Sequence, residues 1–168
     1  MAVRHRLIRT SPRTVWEVLS DGSRYAEWVV GTSSTEPVRG RWPELGSALR
    51  FQVRLGPVTL SNHTVVRRCE PGQELELEAK AGSLGTARIA IALKPWGDYC
   101  LVVVDEHPLR GMGGFVHNAG VEALIQLRHR SMLHRLADLC EEVAAEEERR
   151  RPMGHVVAPQ TGGGEPRG

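Results

Sequence analysis

The sequence predicts an α+β domain: a curved antiparallel sheet of about six to seven strands around one long C-terminal helix, with two short helices after the first strand. Three observations carry this. Short runs of alternating apolar and polar residues recur from Ala48 to Glu106, separated by Gly, Pro and Asp, which is the pattern of an antiparallel meander. Ser11-Pro12 follows the first run and supplies a helix cap and a first helical residue. One long helical stretch then reaches about Glu148, before Pro152 stops it.

Taken in order, Val3 to Ile8 is the first strand. A helix runs from Pro12 to about Leu19 on the apolar residues Val15, Trp16, Val18 and Leu19, and Ser20-Asp21-Gly22 ends it. Ser23 is placed to cap a second short helix over Arg24 to Trp28. Thr32 to Val38 is a weakly patterned strand. In Ala48 to Leu55 the residues Leu49, Phe51, Val53 and Leu55 share one face, and Gly56-Pro57 turns the chain into Val58 to Cys69. Glu70-Pro71-Gly72-Gln73 is a turn, and Glu74 to Ala81 follows with Leu75, Leu77 and Ala79 inward. Gly82 to Gly85 leads to Thr86 to Lys94, which pairs with Tyr99 to Glu106 through Pro95-Trp96-Gly97-Asp98. Pro108 to Gly114 carries three glycines and reads as a loop before the long helix, which starts near Phe115 or Asn118. Residues 1–148 form one domain in this reading, and residues 149–168, rich in Gly and Pro, form a disordered tail.

A chain of 168 residues, 40% hydrophobic and 25% charged, can bury one sizeable core. A net charge of +2 with dispersed basic residues argues against nucleic acid as a partner. Lys80 and Lys94 are the only lysines, an arginine bias that suggests a GC-rich bacterial genome. Cys69, Cys100 and Cys140 are odd in number and far apart, and the N-terminus lacks an apolar signal segment. No run approaches the roughly 18 apolar residues of a membrane span. These observations predict a cytoplasmic protein with no integral membrane association. They do not fix the oligomeric state, and a homodimer is one state compatible with them.

Ser11-Pro12, Val15-Trp16-x-Val18-Leu19-x-Asp21, Tyr25-x-x-Trp28, Gly46-Ser47 before a strand, Glu70-Pro71-Gly72 between strands and the terminal amphipathic helix resemble the START-like (SRPBCC) superfamily, the polyketide cyclase/dehydrase and lipid-transport family. The resemblance covers about Ala2 to Ala145 and implies a helix-grip fold whose sheet wraps the helix around a ligand cavity. It implies no catalytic motif, because this fold hosts carriers, receptors and enzymes alike.

On the long helix, Val121, Ile125, Met132, Leu136 and Leu139 fall on one face, with Arg128 among them. A cation in an apolar stripe requires water, a counter-charge or an anionic ligand. Arg128 either faces a ligand or carries its head to the rim, where Glu106 is a candidate partner. Asn62 and His63 lie mid-strand, and alternation lets only one of them face inward. If Thr64 and Val66 point in, so does Asn62. Phe51 belongs to the inward face of its strand, and Phe115, His117 and Asn118 lie beside the glycine loop at the expected cavity mouth. The candidate ligand-binding residues are therefore Arg128, Asn62, Phe51, Phe115, His117, Asn118, Val121, Ile125 and Met132.

No catalytic residue is assigned. His107 follows Asp105-Glu106, but neighbours on a strand point to opposite faces, so this is not a ready-made dyad. His129 and His134 are five apart, without a Cys or Asp in ligand spacing, so no metal site is expected. No P-loop, dinucleotide or nucleophile-elbow motif occurs, and no cofactor is expected. The reading is a carrier or sensor that holds a small hydrophobic or aromatic molecule. The alternative is a polyketide cyclase or aromatase-like enzyme, in which a group such as Arg128 polarises a carbonyl.

Overall fold

The computed structural model describes residues 2–55, 58–80, 86–110 and 119–150, and side chains are described for all of these except 2, 53–60, 108, 110 and 119–129. The strands are β1 (Ala2–Ile8), β2 (Thr32–Arg39), β3 (Ala48–Leu55), β4 (Val58–Glu70), β5 (Glu74–Lys80), β6 (Thr86–Trp96) and β7 (Tyr99–Arg110). They form one antiparallel sheet in the order β1-β7-β6-β5-β4-β3-β2. The helices are α1 (Pro12–Ser20), α2 (Tyr25–Trp28) and α3 (Ala119–Arg150), with a 3-10 turn at Gly22–Arg24. This is the predicted α+β architecture, an open sheet with two short helices and one long one.

Local chemistry explains the entry segment. The Ser11 Oγ accepts from the Thr14 amide at 3.2 Å, and Pro12 opens α1. Val15, Val18 and Leu19 are buried on one side of α1. The second cap differs from expectation. Asp21, not Ser23, is the acceptor: its Oδ1 takes the Ser23 amide at 2.9 Å and so starts the 3-10 turn, and α2 has no side-chain cap. A carboxylate is the stronger acceptor for the positive end of a helical turn. Gly22 has a packing role, since a Cβ there would stand 3.2 Å from both Leu49 Cδ2 and Trp42 Cγ.

Several strands run past their predicted ends. β7 continues through His107 to Arg110, and Pro108 pairs with Ala87 inside the ladder rather than opening a loop. Trp96 pairs with Tyr99, so the β6–β7 hairpin turns on Gly97-Asp98 alone, with Gly97 at φ +61°. Residues 111–118 and 151–168 lie outside the described residues, and with them the glycine loop and most of the expected tail.

Register aligns the inward side chains of the sheet in rows. Leu75, Ile91 and Val104 form one row, with Arg4 of β1 opposite Val104. Leu93 and Val102 form the next, followed by Cys100 and Ile8. Against these pack Met132, Leu133, Leu136, Ala137 and Cys140 of α3, together with α1, α2 and Trp28. The covered face of α3 is thus rotated by roughly 70° from the predicted stripe at 100° per residue. Leu133, Ala137 and Cys140 are buried, and Leu139 is only partly so.

Candidate functional site

Two polar side chains interrupt the apolar inner face of β4. Asn62 is 7% exposed and Thr64 0%, and neither the Asn62 Oδ1 nor the Thr64 Oγ1 has a hydrogen-bond partner among the described residues. They stand two apart, so the strand period places both on one face, as expected for Asn62. His63 turns outward, where it accepts from the Arg50 Nε at 3.4 Å while the Arg50 Nη1 reaches Glu36 at 2.8 Å. Leaving a buried polar atom unpaired costs about 1–3 kcal/mol. Two such atoms stand side by side on the inner face of β4.

Their surroundings are apolar. Phe51 pairs with Asn62 across β3 and β4, and Leu49 pairs with Thr64. Phe51 also packs on Tyr25, with ring centroids 5.6 Å apart, and Tyr25 meets Trp28 and Trp42 edge-on at 5.1 and 5.9 Å. Thr64 is level with Ala79, and Ala79 with Ala87. The next row along carries Val66, Leu77 and Ile89. The side chains level with Thr64 are small, whereas leucine and isoleucine stand one row along. Ala79, Ala87 and Ile89 are only half-buried, whereas Leu75, Leu77 and Ile91 are fully buried.

Of the predicted ligand-binding residues, the structure brings Asn62 and Phe51 together and buries Met132 in the core. Phe115, His117 and Asn118 lie outside the described residues. Val121, Ile125 and Arg128 belong to α3, but their side chains are outside the described set. Sequence reasoning set Thr64 on the inward face with Asn62 but missed it as a site residue. It also missed that Glu106 shares the inward face with Val104 and Val102, while Asp105 and His107 share the outer one, where His107 Nε2 and Asp105 Oδ2 lie 3.0 Å apart. An i, i+2 pair on a strand is the signal there. That His–Asp pair sits on the convex face, away from Asn62 and Thr64. Trp96 is 63% exposed and lines no interior.

No group of three or more His, Cys, Asp or Glu side chains that could hold a metal ion occurs among the described residues. No helix among them is long and apolar enough to cross a membrane. The cysteines are unpaired. Burial, reinforced by the neighbouring Cys100, pushes the Cys140 thiol up to about 12, and burial also raises Cys100 and Cys69. These are packing thiols rather than nucleophiles.

Residues 2–141 match the sequence profile of the polyketide cyclase / dehydrase and lipid transport family. The chain belongs to that family. As a START-like member, it shares its fold with solved structures of low sequence identity. A protein from Nitrosomonas europaea is 12% identical with a TM-score of 0.69, covering 86% of this chain and 96% of that one. Ara h 8.0201 is 10% identical with a TM-score of 0.67, covering 84% and 97%. The di-domain ARO/CYC protein StfQ of the steffimycin biosynthetic pathway is 12% identical with a TM-score of 0.67, over 89% of this chain and 46% of StfQ. At such identities the likeness shows the helix-grip fold. No curated protein matches the sequence.

Proposed function

We propose that this START-like protein binds a small hydrophobic or aromatic molecule against the inner face of β4, as a carrier or sensor. One observation carries the reading: the Asn62 Oδ1 and Thr64 Oγ1 are buried and unpartnered in an apolar wall. A site for an apolar ligand is mostly hydrophobic with a few placed polar groups, and these two atoms match that description. Asn62 accepts a hydrogen bond from a ligand hydroxyl or N–H, and Thr64 donates to a ligand oxygen. Phe51 supplies an aromatic surface beside them. Membership of a family described by lipid transport supports the same reading.

A second reading is favoured by the family description and the ARO/CYC neighbour. In it the same surface folds a poly-β-ketone chain for cyclisation. Arg128, Phe115, His117, Asn118, Val121 and Ile125 remain the candidates for the rest of the site under either reading, with Arg128 the group that would polarise a carbonyl. We also retain residues 1–148 as the ligand-binding domain, 149–168 as a tail, and a bacterial cytoplasmic location, which the unpaired cysteines support.

The test is native mass spectrometry of the protein purified from a bacterial host. The carrier reading expects a bound organic molecule of a few hundred daltons, absent from Ala79→Trp, which places an indole beside Thr64. A mass equal to the bare chain under all gentle conditions, with no uptake from host lipid extract, contradicts it. Cyclisation of a poly-β-ketone thioester by the wild type, lost in Arg128→Ala, selects the second reading.

A further inference from the structure

The seam between β1 and the C-terminal half of α3 has two unlike ends. At one end it is closed by opposite charges: the Glu141 Oε1 accepts from the Arg9 amide at 3.1 Å and lies 3.9 Å from the Arg9 Nε. At the other end it opens into a cleft of about 250 Å³ lined by Val3, Leu133 and the basic residues Arg4, His5, Arg6, Arg130 and His134. Elsewhere the arginines of the described surface mostly meet carboxylates, as in Arg13–Glu17, Arg50–Glu36, Arg67–Glu78 and Arg68–Glu70. Here Arg6 and Arg130 line one cleft beside His134. Arg4 and Arg6 alternate with Val3, His5 and Leu7, so the strand period turns both guanidiniums to the α3 side. Leu7 is exposed on the other, and Val3, also exposed, borders the cleft. Arg130 and His134 are one helical turn apart and face the same cleft.

Arg6 defines the site chemically. Its Nη1 lies 3.2 Å from the His134 Nε2. A guanidinium only donates, so the imidazole accepts through Nε2 and keeps its N–H on Nδ1. The Arg6 Nε is buried without a partner. Arg130 makes no ion pair among the described residues. A buried guanidinium nitrogen without an acceptor is costly, and an anion in the cleft would supply one.

We propose that this cleft binds a small oxyanion, the carboxylate or phosphate group of a metabolite, held by Arg6 and Arg130 beside His134. The proposal does not depend on anything occupying the inner face of β4. Carboxylate and phosphate share the planar or tetrahedral oxygen geometry that a guanidinium fork matches, and the volume admits such a group with a short carbon chain.

The test is an NMR titration of the full chain, following the His134 ring and the Val3 to Leu7 amides. Inorganic phosphate and acetate are the two probes, with chloride at matched ionic strength as the control. Binding predicts saturable shifts at these positions with at least one probe and not with chloride. The stronger probe then identifies the group as tetrahedral or planar. Arg130→Gln, an exposed change that leaves the core intact, and Arg6→Gln are each expected to raise the dissociation constant about tenfold or more, the worth of a charge-assisted hydrogen bond. Shifts that grow linearly and equally with chloride overturn the proposal, as does a dissociation constant within twofold of wild type in Arg130→Gln.

Discussion

Asn62 and Thr64 stand two residues apart on one face of β4, each with a buried oxygen that no other described residue satisfies. The fold does not need either polar atom. Thr64→Val keeps the shape and removes the unpaired hydroxyl, so it is expected to leave stability unchanged or raise it by about 1 kcal/mol. Urea denaturation checks this. A loss above about 1 kcal/mol would mean that the hydroxyl is bonded in the native state and is structural.

A methyl group at Gly22 would stand 3.2 Å from Leu49 and Trp42, so these side chains would have to give way by a few tenths of an ångström. Gly22→Ala is expected to cost about 1–3 kcal/mol, the range for overpacking. The indole of Trp42 also donates to the Leu19 carbonyl at 3.1 Å, so the displaced ring would strain that bond. A thermal melt within 1 °C of wild type would contradict this contact.

Cys140 keeps its proton far into alkali, with its thiol pushed from the ordinary 9.0 up to about 12. At pH 8 an aromatic disulfide reagent is expected to label half-buried Cys69 first and Cys140 only after unfolding. Because the folded value is the raised one, the unfolded chain loses this proton first. Stability is therefore expected to fall as pH rises from about 9 to about 12. Fast labelling of Cys140 in the native protein at pH 8, or a flat stability profile across that window against a Cys140→Ala control, would contradict the burial.

The fold was legible because turn chemistry and alternation are local. Ser11-Pro12, Glu70-Pro71-Gly72 and Gly97-Asp98 stand where the chain turns or starts a helix. What escaped was set by tertiary contacts. Leu133, Ala137 and Cys140 face the core because α3 packs against β1, α1 and α2, and no helical period alone fixes which side meets them. In β1 the arginines turn inward and Val3 and Leu7 outward, the reverse of the usual pattern, because this edge strand faces the side of α3 rather than the sheet core. Reading the alternation backwards from Ile8 would have revealed it. The site was legible at Asn62 and Phe51, which alternation alone places, and incomplete at Thr64, whose type is ordinary for a strand.

Leu136 is buried to 1% in the centre of the described half of α3. Leu136→Ala is expected to cost about 2–5 kcal/mol in chemical denaturation, the range for a core leucine. A cost under 1 kcal/mol would place this face of the helix outside the core.

The proposed function places a small apolar molecule against Asn62, Thr64 and Phe51. The most direct measurement uses N-phenyl-1-naphthylamine, a neutral aromatic probe with one N–H donor, and reads intermolecular nuclear Overhauser effects in the labelled protein. Saturable one-to-one binding is expected, with contacts from the probe to the Thr64 methyl and the Phe51 ring, both lost in Ala79→Trp. Non-saturable binding, or contacts confined to exposed Trp96, Val3 and Leu7, would contradict it.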